Sequence, residues 1–214
     1  RDAQESRGLG DVYKRQEDIR KVMALTLFIN INELTNEQYE REINFLCPQK
    51  RERVSRMRFE DDKKRSLAAN LAARRASADF LGIDEDEIRI TCDGSGKPLC
   101  DGCYISLSHS GDYAVCAVSS FPIGVDIEKK RDVNPKLINK ICVNDAEREY
   151  TTDTQSLLTL WSVKEACFKA LSPKVSTVSD ISLEITERGF ECSGISFIET
   201  GIMHKDYVFS LASV

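Results

Sequence analysis

The chain has 214 residues, 30 Lys and Arg against 35 Asp and Glu for a net charge of −5, with 41% hydrophobic and 30% charged residues. That balance excludes collagen, low-complexity disorder and a bundle of membrane spans, and the length supports a full hydrophobic core. The longest apolar run, residues 24–31, is broken by Thr26 and Asn30 and is too short to cross a bilayer.

Residues 1–22 carry alternating charges and almost no apolar period, so they are expected to form a tail; the string 6–16 resembles translated adaptor sequence, and Met23 is the expected start. No secretory leader is apparent, so a cytoplasmic protein is expected, and the eight cysteines read as thiols of a reducing compartment. Cys100 and Cys103 form a C-x-x-C without a second pair at zinc-ribbon spacing. From Met23 the pattern predicts a strand at 24–31, then a helix opened by Thr35 and ended by Pro48. A longer helix capped by Asp61 or Asp62 runs to Phe80, with Leu67, Ala68, Leu71, Ala72 and Ala76 on one face and Gly82 as the stop. Strands are predicted at 87–91, 104–107, 113–119 and 123–128. A second round follows, with a helix at 157–171 closed by Pro173 and strands at 181–185, 195–198 and 207–214.

The segments 113–119 and 207–213 share an opening Tyr, a small or apolar interior and a closing Ser, and each lies about the same distance after the centre of its helix, near Asn70 and Lys164. This points to an internal duplication. The expected fold class is α+β, with two pseudo-symmetric α/β halves, 23–120 and 121–214, and an active site at their interface.

Candidate chemistry lies in four places. Strand alternation in Gly124-Val-Asp-Ile-Glu sends Asp126 and Glu128 to one face, a repelling pair that a hard cation such as Mg²⁺ would reconcile and that a solvated strand end would also tolerate. In the helix after it, Trp161, Glu165 and Lys169 stack at i, i+4 and i+8 with Lys164 flanking, a face that could equally be core plus a surface ion pair. Between Lys50 and Arg75 ten Lys and Arg stand against four Asp and Glu, a polarity suited to a polyanion. Nucleic acid is disfavoured by the acidic whole and the lack of interleaved aromatics. Finally, Gly96-Lys97-Pro98 and Ser108-His109-Ser110-Gly111 are neither a P-loop, since Pro98 stands where Ser or Thr is required, nor a Ser-His hydrolase, since Ser108 and His109 would point to opposite sides of an extended segment; a phosphate-holding turn is the better fit.

In this order, Lys97-Pro98, Ser108-His109-Ser110, Gly124-x-Asp126-x-Glu128 and Trp161-x-x-Lys164-Glu165-x-x-x-Lys169, the chain resembles a 4′-phosphopantetheinyl transferase of the surfactin-synthetase-activating type from Met23 to Val214. Upstream, Cys47-Pro-Gln-Lys-Arg-Glu-Arg53 and Glu60-Asp-Asp-Lys-Lys-Arg-Ser-Leu67 look like the family's two basic coenzyme A contacts. The resemblance implies transfer of 4′-phosphopantetheine from coenzyme A to a serine of an apo carrier protein. It implies Mg²⁺ held by Asp126, Glu128 and Glu165, with Glu165 and Lys169 catalytic. Coenzyme A would be held by Lys50, Arg53, Arg65, Lys97, Ser108, His109 and Lys164. A monomer that binds no membrane is expected, with the carrier docking on segment 171–185 through Val175, Val178 and Ile181. The sequence departs from the family at Ser106, where Asn is frequent, and at Ile141-Cys142, where an aromatic pair is usual. A Mg²⁺-dependent coenzyme A pyrophosphate hydrolase and a non-catalytic coenzyme A-binding module are the alternative readings.

Overall fold

The computed structural model describes residues 24–214, so the expected tail and the Met23 start lie outside the described residues. The first strand, β1 (Ala24–Asn30), leads to α1 (Asn36–Phe45), which opens on a reciprocal cap: the Thr35 hydroxyl accepts from Gln38 N, and the Gln38 side chain accepts from Thr35 N. Pro48 does not merely end this helix. It stands at the first position of α2 (Pro48–Ser55), where its missing N–H would be unpaired in any residue and its fixed φ is already helical.

The long helix α3 (Glu60–Leu81) starts from Phe59, and Asp61 and Asp62 lie in its first turn, favoured there by the positive end of the helix dipole rather than acting as caps. It ends on Gly82, whose φ of 69° is left-handed. Leu67, Ala68, Leu71, Ala72 and Ala76 are all buried, as the helical spacing predicts. The strand expected at 87–91 is instead a 3₁₀ turn and irregular backbone leading to the short β2 (Thr91–Cys92), which pairs with β3 (Pro98–Leu99). Ile88 and Ile90 are buried there without a strand partner, so their alternation reflected burial alone.

The strand β4 (Tyr104–Ser110) runs three residues beyond its expected end and so carries Ser108 and His109, and β5 (Tyr113–Ser119) returns antiparallel. The sheet order is β1-β5-β4. After β6 (Ile123–Lys129) come two short helices that the sequence pattern missed, α4 (Ile138–Ile141) and α5 (Asp145–Tyr150), then α6 (Thr154–Leu171), started three residues early by a cap between Asp153 and Ser156. The hairpin β7 (Leu183–Thr186) and β8 (Gly189–Cys192) forms a sheet of its own, and β9 (Phe197–Met203) and β10 (Tyr207–Ser213) then complete a sheet ordered β6-β10-β9. Each half thus runs strand, long helix, small hairpin and two strands, with the last strand central. The matching segments 113–119 and 207–213 are those two central strands.

The halves share a core of Val115 and Ala117 from β5 with Val125, Ile127, Tyr207 and Leu211. At their seam β4 faces β6 through side chains. The hydroxyls of Ser106, Ser108 and Ser110 accept hydrogen bonds from the backbone N–H groups of Val125, Ile127 and Lys129 at 3.0, 3.4 and 2.9 Å.

On its other face β6 is pressed against α6 at Gly124, where a Cβ would lie 1.9 Å from the Ala166 carbonyl oxygen and 2.7 Å from Ala170 N. No side chain fits between these backbones. Gly124→Ala should therefore lower stability by about 3 kcal/mol or more, the upper range for overpacking, because backbone rather than a flexible side chain must move. Urea denaturation checks this; an unchanged midpoint would mean that helix and strand separate freely.

Candidate active site

A cavity of about 540 Å³ opens beside the seam, lined by Lys50 and Arg53 of α2, the turn between β2 and β3, Ser108 and His109 of β4, and Lys169 of α6. Its character is basic. Burial, and then the charges of Arg65, Lys50 and Lys169, pull the His109 imidazole below its ordinary pKa. Burial likewise lowers the Lys50 ammonium. Lys50 is braced from behind, with Nζ donating to Asn70 Oδ1 at 3.3 Å and Asn70 Nδ2 donating to Glu42 Oε1 at 2.6 Å. The second Glu42 oxygen accepts from buried Arg74 at 2.8 Å, and the Arg74 guanidinium lies 3.3 Å from the centroid of the Phe45 ring.

The acids sit where strand alternation predicted, with Val125 and Ile127 in the shared core and Asp126 and Glu128 facing α6. Asp126 Oδ1 accepts from Ser108 Oγ and from Lys169 Nζ, each at 2.8 Å, and Lys169 Nζ also donates to the Val125 carbonyl at 2.9 Å. Asp126 Oδ2 is buried without a hydrogen-bond partner. Glu128 Oε1 accepts from the Trp161 indole N–H at 3.1 Å, and Oε2 accepts from Arg131 at 2.6 Å and Ser110 at 3.3 Å. Trp161 therefore faces the acids with its polar edge. Glu165 lies between Trp161 and Lys169 on this side of α6. Burial raises its pKa, Lys169 opposes the shift, and Asp126 and Glu128 add to it. Among the described residues no three acidic, His or Cys side chains close into a ready-made metal cage.

Several residues expected to hold coenzyme A are committed elsewhere. Lys164 is fully buried, with Nζ 2.7 Å from Glu147 and bonded to the Ile141 carbonyl; it is one residue from Glu165 and so about 100° around the helix, turned into the C-terminal core. Lys97 donates to the carbonyls of Lys169 and Ser172 at 3.2 and 3.0 Å, satisfying the end of α6, where orphan carbonyls and the negative end of the dipole draw a cation. Ser108 lines the cavity, but its hydroxyl is bonded to Asp126. Arg65 bonds Asp62 and the Gly111 carbonyl at 2.7 and 2.9 Å, while its charge is felt at His109. Much of the remaining basic segment is paired, as in Arg56 with Glu52, Lys63 with Glu60 and Arg75 with Glu85. In the expected docking segment Val175 packs against the C-terminal core and Ile181 is buried in it.

Sequence reasoning missed the contacts of Ser110, Arg131 and Asn70. The first was signalled: Ser106-x-Ser108-x-Ser110 repeats with the same period of two as Gly124-x-Asp126-x-Glu128.

Two family models meet end to end on the chain: 4′-phosphopantetheinyl transferase, N-terminal, over residues 33–121, and the 4′-phosphopantetheinyl transferase superfamily over residues 122–208. The chain belongs to the 4′-phosphopantetheinyl transferase superfamily. Among its relatives, 4′-phosphopantetheinyl transferase Sfp of Bacillus subtilis (strain 168) is 29% identical over 147 residues, which are 64% of this chain and 64% of Sfp, just under two thirds of its length. The 4′-phosphopantetheinyl transferase ffp of Bacillus subtilis is 27% identical over 202 residues, 84% of this chain and 87% of ffp. A solved Helicobacter pylori holo-[acyl-carrier-protein] synthase in complex with coenzyme A matches 45% of this chain and 98% of its own, with 18% identity and a TM-score of 0.36, a likeness too distant to bear on the site.

The burial of Lys164 separates stability from ligand binding. Lys164→Met leaves the Glu147 carboxylate buried without its cation, and should cost about 3–5 kcal/mol of stability without changing the affinity of the folded protein for coenzyme A used as a probe. Calorimetry below the melting range checks this; weakened binding at unchanged stability would return Lys164 to the cavity.

Proposed function

We propose that the chain transfers 4′-phosphopantetheine from coenzyme A to a serine hydroxyl of an apo carrier protein and releases adenosine 3′,5′-bisphosphate. The observation that carries this reading is the double position of Lys169, which lines the basic cavity and hydrogen-bonds Asp126. One ammonium thus joins a cavity of ligand size to the acids beside it. Lys50 and Arg53 would take the ribose 3′-phosphate end, with His109 and the nearby charge of Arg65 completing the anionic subsite. Lys97 and Ser108 would act indirectly, Lys97 by fixing the end of α6 and Ser108 by holding Asp126.

The donors suit Mg²⁺, which needs only one or two carboxylates beside water and substrate phosphates. Asp126 offers a buried oxygen with no partner, and no protein donor among the described residues hydrogen-bonds the Glu165 carboxylate. These two would be the principal ligands, with Glu128, whose oxygens already accept from Trp161, Arg131 and Ser110, as the third. Bound there, Mg²⁺ would neutralise charge on the pyrophosphate. Lys169 has a third ammonium proton beyond those given to Asp126 and Val125, and this proton would meet charge developing on the transferred phosphoryl group. The Glu165 carboxylate has two oxygens, and the one not turned to the metal would accept the proton of the carrier serine. Because one chain supplies both halves of the cleft, the proposed unit is a monomer. Its proposed compartment is the reducing cytoplasm; among the described residues no helix is long and apolar enough to cross a membrane.

Intact mass spectrometry of apo carrier proteins incubated with coenzyme A and Mg²⁺ tests the reading. Asp126→Ala should remove the phosphopantetheine adduct, a loss of several kcal/mol of transition-state stabilisation, with the fold retained. Free phosphopantetheine in place of the adduct would indicate the hydrolase instead.

A pH effect also follows from His109. Burial and the neighbouring cations favour the neutral imidazole in the empty cavity, whereas a bound phosphate favours the imidazolium. Binding of adenosine 3′,5′-bisphosphate at pH 6.5 should therefore take up more protons, net of those the ligand's own phosphates release, in the wild type than in His109→Asn. Calorimetry in buffers of different ionisation enthalpy measures both; an equal proton balance in the two proteins would remove His109 from the subsite.

A further inference from the structure

The seam between β4 and β6 has a repeating geometry in which all three serine hydroxyls accept a backbone N–H and two of them also donate to a carboxylate. As an acceptor, Ser106 takes the Val125 N–H, Ser108 the Ile127 N–H and Ser110 the Lys129 N–H. As donors, Ser108 bonds the side chain of Asp126 at 2.8 Å and Ser110 that of Glu128 at 3.3 Å. The acid in each case is the residue just before the N–H that the serine accepts. For Ser106 that residue is Gly124, which has no side chain and has room for none. The ladder therefore contains two rungs that join the halves and hold an acid, and one rung that only joins the halves.

We propose that Ser108 and Ser110 are positioning residues, whose hydroxyl protons aim the carboxylates of Asp126 and Glu128 while their lone pairs close the seam between the halves. The proposal rests on the transferase reading only for its catalytic consequence; the positioning is a property of the unliganded protein. A hydroxyl held on one side by a fixed backbone N–H has its proton directed to the other, so the carboxylate inherits the placement of the strand. Glu128 is then clamped from three sides, by Ser110 and Arg131 at one oxygen and by Trp161 at the other.

Ser106 supplies an internal control, and Trp161, the single tryptophan of the chain, supplies a reporter whose N–H is bonded to Glu128 itself. Ser106→Ala and Ser110→Ala each remove one seam bond, so both should lower the melting temperature. Only Ser110→Ala should shift the Trp161 emission maximum and weaken Mn²⁺ binding, the latter by about tenfold or more, as for loss of a hydrogen bond to a metal ligand. Ser110→Thr, which keeps the hydroxyl, should restore both. An emission spectrum unchanged in Ser110→Ala, or changed equally in Ser106→Ala, overturns the positioning role. If Ser110→Ala does not fold, Ser110→Cys against Ser110→Thr makes the same comparison, since the thiol fills the space with a weaker donor, and equal spectra from the two overturn it. If the emission differs as expected while the wild-type protein neither binds Mn²⁺ nor modifies a carrier, the transferase reading fails and the positioning stands.

Discussion

Everything in the candidate site depends on how closely α6 lies on β6. At Gly124 the two backbones approach to a distance that no side chain permits, and this sets the helix so that Trp161, Glu165 and Lys169 face Asp126 and Glu128 on the strand. The side chains then have little freedom left. Lys169 reaches both a carboxylate and a main-chain carbonyl, and the Trp161 N–H meets an acid. Had the helix stood off by the width of a methyl group, the same residues would form a solvated ion pair of small energetic weight.

The sequence made these partners visible because they follow simple periods. Alternation on a strand placed Asp126 and Glu128 on one side, and the four-residue spacing of Trp161, Glu165 and Lys169 aligned them on one helix face. The resemblance to the transferases then joined the two motifs. Spacing could not reveal which charges would be used up internally. Lys164 and Lys97 look like ligand contacts in a linear reading, yet one meets a buried glutamate from a helix too short to predict and the other a helix terminus far along the chain. Pro48 illustrates the same limit, since a residue that stops one helix can start the next.

Buried ion pairs recur at related places in the two halves. In the first, Arg74 of α3 meets Glu42 of α1; in the second, Lys164 of α6 meets Glu147 of α5. Each central helix therefore carries a cation pinned by an acid from a short helix before it. Glu147 also accepts the N–H groups of Val143 and Leu183, while Glu42 accepts from Asn70. Such pairs contribute little net stability relative to a well-packed apolar substitute, but an unpaired member is costly, which restricts the helices to one arrangement. In the first half the network extends through Asn70 to Lys50, and so to the wall of the cavity.

The matched registers of the two sheets show how far the two halves differ. Aligned through their central strands, Asp126 and Glu128 correspond to Leu27 and Ile29 of β1, while Ser106, Ser108 and Ser110 correspond to Glu199, Gly201 and Met203 of β9. One half carries the hydroxyls and the other the acids. A symmetric pair of first halves would set serines opposite leucine and isoleucine, and a symmetric pair of second halves would set the acids opposite glycine and methionine. The complete set arises only where unlike halves meet, so a single chain carries one such centre and its reciprocal edges are released from the requirement.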